Sequence, residues 1–435
     1  MHRPLGRLNG SVRSSLLAAG VLAGGVLGAG QAQAQSMVAA MVPDVISATQ
    51  GGCDLIVIDP QTGSWQFYMR VNFDTTGSRA LRGLTALPNN RLAALVYRDD
   101  GTANNVARPI SIDPFTGTFA VSTFGAPLAT AYSEGFEYSP RHNAILVSFG
   151  AVGNFATTRL ATVDPTTWNV LASTNALAGV ADMDSIASTP TEDYFFDLNS
   201  TIASGRVRRL TALMPSPTFA SFASPPAQAL VYDFAAHPAT GQITFTDSGG
   251  KRLVRLSGNT YINGATLAED AAIRGLAWAT LPPRNASVPG FAGACLGGTA
   301  TLTASAVGTP PFTFAWRKNG ILIDPVANPS AATATLVLSD IGPDDVASYT
   351  CEISNSLHAI VSPPVPLTIC TADFNCDGSV DNSDFNFFVT QYVVFLCGEE
   401  GMSAGCPADL TSDGQVDEQD FAVFVTQFNR LLCGE

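Results

Sequence analysis

Ile58-Asp59-Pro60-Gln61-Thr62-Gly63 returns as Ile112-Asp113-Pro114-Phe115-Thr116-Gly117 and, less completely, as Val163-Asp164-Pro165-Thr166-Thr167. Each copy closes an apolar run with hairpin turn chemistry. The Asp side chain bonds to the backbone two residues on, Pro presets φ, and Gly supplies a positive φ. Between the copies a second element recurs, in Gly83-Leu84-Thr85-Ala86-Leu87-Pro88 leading to Leu92-Ala93-Ala94-Leu95 and in Gly135-Phe136-Glu137-Tyr138-Ser139-Pro140 leading to Ile145-Leu146-Val147. Fainter echoes lie at Met183 to Pro190, Tyr232 to Pro238 and Gly275 to Pro282. Short strands with turns at a period of about 50 residues predict β-propeller blades over residues 35–284. Five echoes, with half a blade at each end to close the ring, predict five blades, six being the alternative count. A stacked array of β-sandwiches is the competing architecture.

Outward from this region, 435 residues suggest about three units. Gly 39, Pro 27 and 13% charged residues point to a turn-rich, mainly β chain. Residues 1–34 read as a secretory signal: Arg3, Arg7 and Arg13 precede an apolar run from Leu16 to about Gly30, and Ala32-Gln33-Ala34 offers cleavage after Ala34. Later segments lack the run of about 18 apolar residues that a spanning helix needs, so no membrane span is expected after signal removal. The eight cysteines of an exported chain are expected to be cross-linked.

Of the net charge of −14, most lies after Thr371, where twelve acids face the single base Arg430. An acidic chain without basic clusters repels phosphate backbones, which argues against nucleic acid, and the acid cluster itself calls for cations. A shift of 36 places superimposes Cys370-Thr-Ala-Asp-Phe-Asn-Cys-Asp-Gly-Ser-Val-Asp-Asn-Ser-Asp-Phe on Cys406-Pro-Ala-Asp-Leu-Thr-Ser-Asp-Gly-Gln-Val-Asp-Glu-Gln-Asp-Phe, so one unit is present twice. Oxygen-bearing side chains fall at loop positions 1, 3, 5, 9 and 12 with Gly at 6, the spacing that wraps a loop around a hard cation. The first loop offers Asp373, Asn375, Asp377, Asp381 and Asp384, with a backbone carbonyl from Ser379. The second offers Asp409, Thr411, Asp413, Asp417 and Asp420, with the carbonyl from Gln415. Two calcium ions are therefore expected. Phe385, Phe388, Val389 and Tyr392, and Phe421, Phe424, Val425 and Phe428, recur at helical spacing as expected core faces.

With Asp at position 12 and one helix after each loop, residues 371–435 resemble the tandem EF-hand-type repeat of dockerin domains. The resemblance implies two helices packed together with the loops at opposite ends. It thereby implies Cys397–Cys406 and Cys370–Cys433 bridges and attachment to a cohesin-like protein or an envelope component. Positions 10 and 11, which help dockerins choose their partner, are Asn382-Ser383 and Glu418-Gln419, not the Ser-Thr pair often seen in cellulosomal versions, and residues Glu400 to Gly405 are an insertion.

Residues 285–370 resemble a bacterial immunoglobulin-like domain through Gly298-Thr299-Ala300-Thr301-Leu302, Ala315-Trp316-Arg317-Lys318-Asn319-Gly320 and Asp345-Val346-Ala347-Ser348-Tyr349-Thr350-Cys351. Trp316 is the expected buried tryptophan and Tyr349 the tyrosine corner. Ala304 stands where the partner cysteine of Cys351 is expected, which makes Cys295 the nearest candidate; the fates of Cys53 and Cys376 stay open. The first region likewise resembles secreted propellers with an x-Asp-Pro-x-Thr-Gly turn in each blade.

His142, His237 and His358 form no zinc motif, and nucleophile-elbow and phosphate-loop motifs are missing. His237 reads as a turn residue. Glu134, Glu137, Asp182 and Asp184 are candidates for a channel mouth, where paired carboxylates can hydrolyse glycosides. The expected function is that of an exported, extracellular or cell-surface protein, with the periplasm as the other compartment. It is a calcium-binding protein for binding, adhesion or assembly, whose propeller takes a carbohydrate or protein ligand. The alternatives are a secreted polysaccharide hydrolase or lyase carrying a dockerin-like module, and a matrix component whose propeller has no small ligand.

Overall fold

The computed structural model describes residues 35–43, 52–72, 78–98, 107–126, 128, 132–151, 154–177, 180, 183–197, 206–214, 216–223, 233–247, 252–257, 260–266, 271–289 and 292–428. The expected signal segment, Asp182 and Cys433 lie outside them, as do the side chains of Glu134 and Asp184. Among the described residues no helix is long and apolar enough to cross a membrane.

The chain is mainly β. Its first twenty strands build five four-stranded antiparallel sheets. The first sheet holds β1 (Ser36–Pro43), β2 (Gly52–Ile58) and β3 (Trp65–Asn72). The second runs β4 (Ser78–Ala86), β5 (Leu92–Arg98), β6 (Ala107–Ile112), β7 (Phe119–Val121). The third runs β8 (Tyr132–Ser139), β9 (Ala144–Ala151), β10 (Asn154–Val163), β11 (Val170–Ser173). The fourth runs β12 (Met183–Ser188), β13 (Asp193–Asp197), β14 (Arg206–Ala212), β15 (Thr218–Ala223). The fifth runs β16 (Phe234–Ala236), β17 (Ile243–Asp247), β18 (Arg252–Ser257), β19 (Thr260–Thr266). The chain then returns through β20 (Ala271–Ala279), which pairs antiparallel with β1 from Ser36↔Ala279 to Pro43↔Ala271 and so completes the first sheet. The leading strands β4, β8, β12, β16 and β20 pack in succession, and β20 packs back on β4.

The Asp-Pro turns sit between the third and fourth strands of the first three sheets. Asp59, Asp113 and Asp164 each accept a backbone N–H from the residue two places on, at 2.7, 2.8 and 2.9 Å, through Gln61, Phe115 and Thr166. Gly63 and Gly117 take the positive φ that closes the turn, 73° and 79°, and Trp168 takes 62° in the third copy. A fourth copy, His237-Pro238-Ala239-Thr240-Gly241, joins β16 to β17. There His237 Nδ1 accepts the N–H groups of Ala239 and Thr240 in place of a carboxylate. His237 is thus the turn residue its sequence suggested.

An immunoglobulin-like sandwich follows. Its strands are β21 (Arg284–Ser287), β22 (Ala292–Ala294), β23 (Thr299–Thr303), β24 (Ser305–Val307), β25 (Thr313–Lys318), β26 (Ile321–Leu322), β27 (Thr335–Ser339), β28 (Ala347–Ser354), β29 (Ala359–Val361) and β30 (Val365–Ile369). The larger sheet runs β22-β30-β28-β25-β26 and faces the β23-β27 pair. Trp316 is fully buried and its Nε1 donates to Thr333 O at 2.9 Å; the Tyr349 hydroxyl donates to Asp345 O at 3.0 Å, the corner its position predicted.

Two helices close the described chain, α1 (Asn382–Tyr392) and α2 (Glu418–Phe428). Phe388 and Phe424 are buried against each other with ring centroids 5.2 Å apart. The expected core stripe is narrower than its sequence suggests: Phe385, Val389, Tyr392 and Phe421 are each more than a third exposed. Two short helices provide one mutual contact face, and Phe388 and Phe424 are the apolar side chains enclosed at its centre.

The cysteines depart from the expected full cross-linking at Cys351 and Cys53. Cys295 bonds to Cys376, not to Cys351, and Cys351 is a buried free thiol, as is Cys53. Cys351 lies opposite Trp316 in the β25-β28 register, deep in the sandwich, whereas Cys295 follows β22 at the sheet end where the chain leaves for residue 371. Cys397–Cys406 forms as predicted. Cys370 is disulfide-bonded, its expected partner Cys433 being outside the described residues.

Candidate metal centre

Each loop is built the same way. Position 4 is left-handed in both, Cys376 at φ 60° and Ser412 at φ 63°, and the glycine at position 6 has φ 90° in both. That repeated pair of unusual backbone angles turns each loop back on itself, and Gly tolerates φ 90° where a Cβ would not.

The hydrogen bonds then aim carboxylates inward. At position 1, Asp373 accepts the N–H groups of Asp377 (3.2 Å) and Gly378 (3.0 Å), and Asp409 accepts those of Asp413 (3.1 Å) and Gly414 (2.8 Å). At position 12, Asp384 accepts from Phe374 and Asn375 on one oxygen and from Asp381 on the other. Asp420 repeats this with Thr411 and Asp417. Asp384 and Asp420 are fully buried. A carboxylate has about four lone-pair sites, so these bonds orient each group and leave electron pairs for a further partner.

Asp381 also caps α1 through Ser383 N, and Asp417 accepts Gln419 N at the start of α2. Asn375 and Asp377 at positions 3 and 5 bond each other at 2.8 Å. Leu396 and Gln415 form an antiparallel bridge whose two ladder bonds come from Val416 N to Phe395 O and Cys397 N to Gly414 O. Those bonds belong to the neighbours of Gln415, which keeps its own carbonyl off the ladder.

The donor set fits a hard dication. Carboxylate oxygens of Asp409, Asp413 and Asp420 lie within 4.8 Å of one another. Oxygens that share a calcium ion at about 2.4 Å stand at most about 4.8 Å apart. Each loop carries four carboxylates, which repel one another without a counter-charge; among the described residues only the second loop brings three of them within that distance. Burial, with the charges of Asp384 and Asp377 added, raises the Asp373 pKa above the ordinary carboxylate range. Cys397, Cys406 and Asp409 also cluster, but both cysteines are spent in a disulfide and offer no thiolate.

The ends of the two repeats meet. Gln427 at the end of α2 accepts Ala372 N and donates to Thr371 Oγ1, and Gln391 at the end of α1 accepts Ser403 N, at distances of 2.7–3.0 Å.

In the five-sheet region the candidate carboxylates have another role. Glu137 is held by the Thr85 side chain and the Ser188 backbone, and burial pushes its pKa well up. Beside it lies Asp233, which sequence reading passed over. It accepts Phe234 N, Leu84 N and Leu276 N, reaching from the start of β16 to both β4 and β20. Burial raises its pKa well above the usual range despite these bonds. The available signal was register: Asp233 stands where Gly83, Gly135 and Gly275 stand in the other copies. Asp193 is likewise engaged, by Ser188 and by His142 Nε2 at 3.0 Å.

Residues 281–355 match the family model described as Immunoglobulin domain. This places an immunoglobulin-like domain in the middle of the chain. Among solved structures, the tandem Ig repeats of Dlar are similar at 17% identity, covering 41% of this chain and 88% of that one, with a TM-score of 0.19. The N-terminal Ig1-2 module of the Drosophila receptor protein tyrosine phosphatase DLAR is similar at 18% identity, covering 32% and 74%, with a TM-score of 0.18. The RS223 β-xylosidase is similar at 9% identity, covering 56% and 96%, with a TM-score of 0.36. No curated protein matches the chain significantly.

Proposed function

We propose that this is an exported, calcium-locked binding protein of three parts: a five-bladed β-propeller, an immunoglobulin-like spacer and a dockerin-like attachment module. The observation that carries it is the duplication of the C-terminal loop, down to its paired backbone angles, its Gly and its buried position-12 carboxylate. A calcium ion in each loop supplies the positive charge that the loop's four carboxylates lack. Asp373, Asn375, Asp377, Ser379, Asp381 and Asp384 hold one, and Asp409, Thr411, Asp413, Gln415, Asp417 and Asp420 the other.

The five sheets with leading strands packed in a cycle, and β20 closing on β1, support the propeller reading. A sheet whose leading strand is supplied from the opposite end of the region ties the two ends together, as ring closure in a propeller requires. Disulfides and the leader-like N-terminus support export. The exposed apolar side chains on the two helices, Phe385, Val389, Tyr392 and Val393 on and after α1 and Phe421 on α2, support attachment to a cohesin-like protein or envelope component. A carbohydrate or protein ligand at the propeller is part of the same reading. Glu137, Asp193 and Asp233 are tied into the frame, so the polysaccharide hydrolase or lyase alternative gains no support from them.

Native mass spectrometry of the full chain tests the proposal. Two calcium ions are expected on the wild type and one on Asp384→Ala or Asp420→Ala; a wild type that holds none contradicts it.

A further inference from the structure

Cys376 occupies position 4 of the first loop, between the expected ligands Asn375 and Asp377, and its sulfur is bonded to Cys295 of the immunoglobulin-like domain. The anchor is firm. Cys295 is 6% exposed and follows β22, which runs parallel to β30 in the register Ala292↔Leu367 to Ala294↔Ile369. Cys370 N donates to Ala294 O at 2.9 Å, so the strand leading into the loop is tied at the same spot. Gly298 makes room for the bridge: a Cβ there would stand 2.5 Å from the Cys295 sulfur. Cys376 itself is on the exposed side of the loop. It holds the left-handed backbone that disfavours any side chain with a Cβ. The second loop reaches the same backbone with Ser412 and no cross-link at that position.

We propose that the Cys295–Cys376 disulfide and calcium in the first loop are thermodynamically coupled, so that the oxidised protein binds calcium there more tightly and calcium protects the bond from reduction. The proposal rests on the calcium reading above. The cross-link holds position 4 in its left-handed state beside two ligands, which lowers the ordering cost of filling the loop. Reciprocity then requires calcium to favour the disulfide by the same factor. Reduction by a dithiol breaks the S–S bond. Two electrons and two protons pass to the sulfurs, Cys295 and Cys376 become thiols, and the reductant closes to its cyclic disulfide. The second loop has no cross-link at position 4, so this coupling belongs to the first loop.

The test equilibrates the full chain with reduced and oxidised dithiothreitol in calcium or in chelator, and reads the Cys376 thiol by alkylation and peptide mass spectrometry. Calcium is expected to shift the exchange constant about tenfold toward the disulfide, about 30 mV in midpoint. In parallel, with the second loop silenced by Asp413→Ala, Cys295→Ser and Cys376→Ser are each expected to weaken calcium binding about tenfold. Cys376→Ser copies the Ser412 of the second loop, so it retains a residue the turn accepts. An unchanged midpoint with unchanged affinity in both variants overturns the coupling while leaving the calcium reading intact. A wild type that takes up no calcium overturns both.

Discussion

His237 shows how one turn accepts two chemistries. Asp59, Asp113 and Asp164 receive the turn's N–H groups on a carboxylate, and His237 receives them on Nδ1, which requires a neutral ring. Burial lowers its pKa below the ordinary value of 6.5. A base with a depressed folded pKa contributes stability that is present above the unfolded pKa and lost as pH falls through the folded one. His237→Asp is therefore expected to retain the turn and to remove this part of the stability loss below about pH 6.5, measured by urea unfolding at stepped pH. An unchanged pH slope in the variant counts against the neutral-acceptor role. Asp345 behaves in the same sense at lower pH. Gly342 N and the Lys318 ammonium hold its carboxyl below the ordinary value, so its contribution is present above about pH 3.8 and lost in acid. The same titration should show a shallower acid limb in Asp345→Asn.

At the scale of elements, the packing of the leading strands depends on close approach. A Cβ on Gly275 of β20 would stand 2.7 Å from the Leu84 Cβ of β4, so Gly275→Ala is expected to cost about 1–3 kcal/mol in thermal unfolding. Asp233→Ala leaves the N–H groups of Leu84, Leu276 and Phe234 without their acceptor and is expected to cost about 3 kcal/mol or more. Stability equal to the wild type would show that water replaces the carboxylate. These contacts also mark where sequence reading stops. The strands, the Asp-Pro turns, Trp316 and Tyr349 were legible because turn chemistry and core periodicity are local. Asp233 was not, because its three partners come from three separate segments of the chain. The Cys295–Cys376 bridge was missed for a related reason: spacing pointed inside the sandwich, whereas the bond follows the meeting of two strand ends.

For the whole molecule, the junction between the five-sheet region and the sandwich is built from backbone-directed bonds. Arg284 donates to Pro114 O and Phe115 O, Asn285 to Phe67 O and Tyr68 O, and the Tyr68 hydroxyl to Pro114 O and Pro282 O. Asn355 reaches back to Leu281 O and Thr309 O. With Cys295–Cys376 at the other end of the sandwich, the three parts are joined by fixed contacts in place of a free linker. Replacing Arg284 and Asn285 together by Ala removes four hydrogen bonds, on the order of 2–4 kcal/mol of coupling. Calorimetry is expected to split unfolding transitions that overlap in the wild type, and a profile unchanged by the double variant would contradict the coupled junction. The repeated build of the two loops was legible because all the residues that shape each one lie within one short stretch. The most direct measurement of the account is calorimetric titration of the full, oxidised chain with calcium after chelation: two bound ions are predicted, and a flat titration would contradict the calcium-locked module on which the functional reading stands.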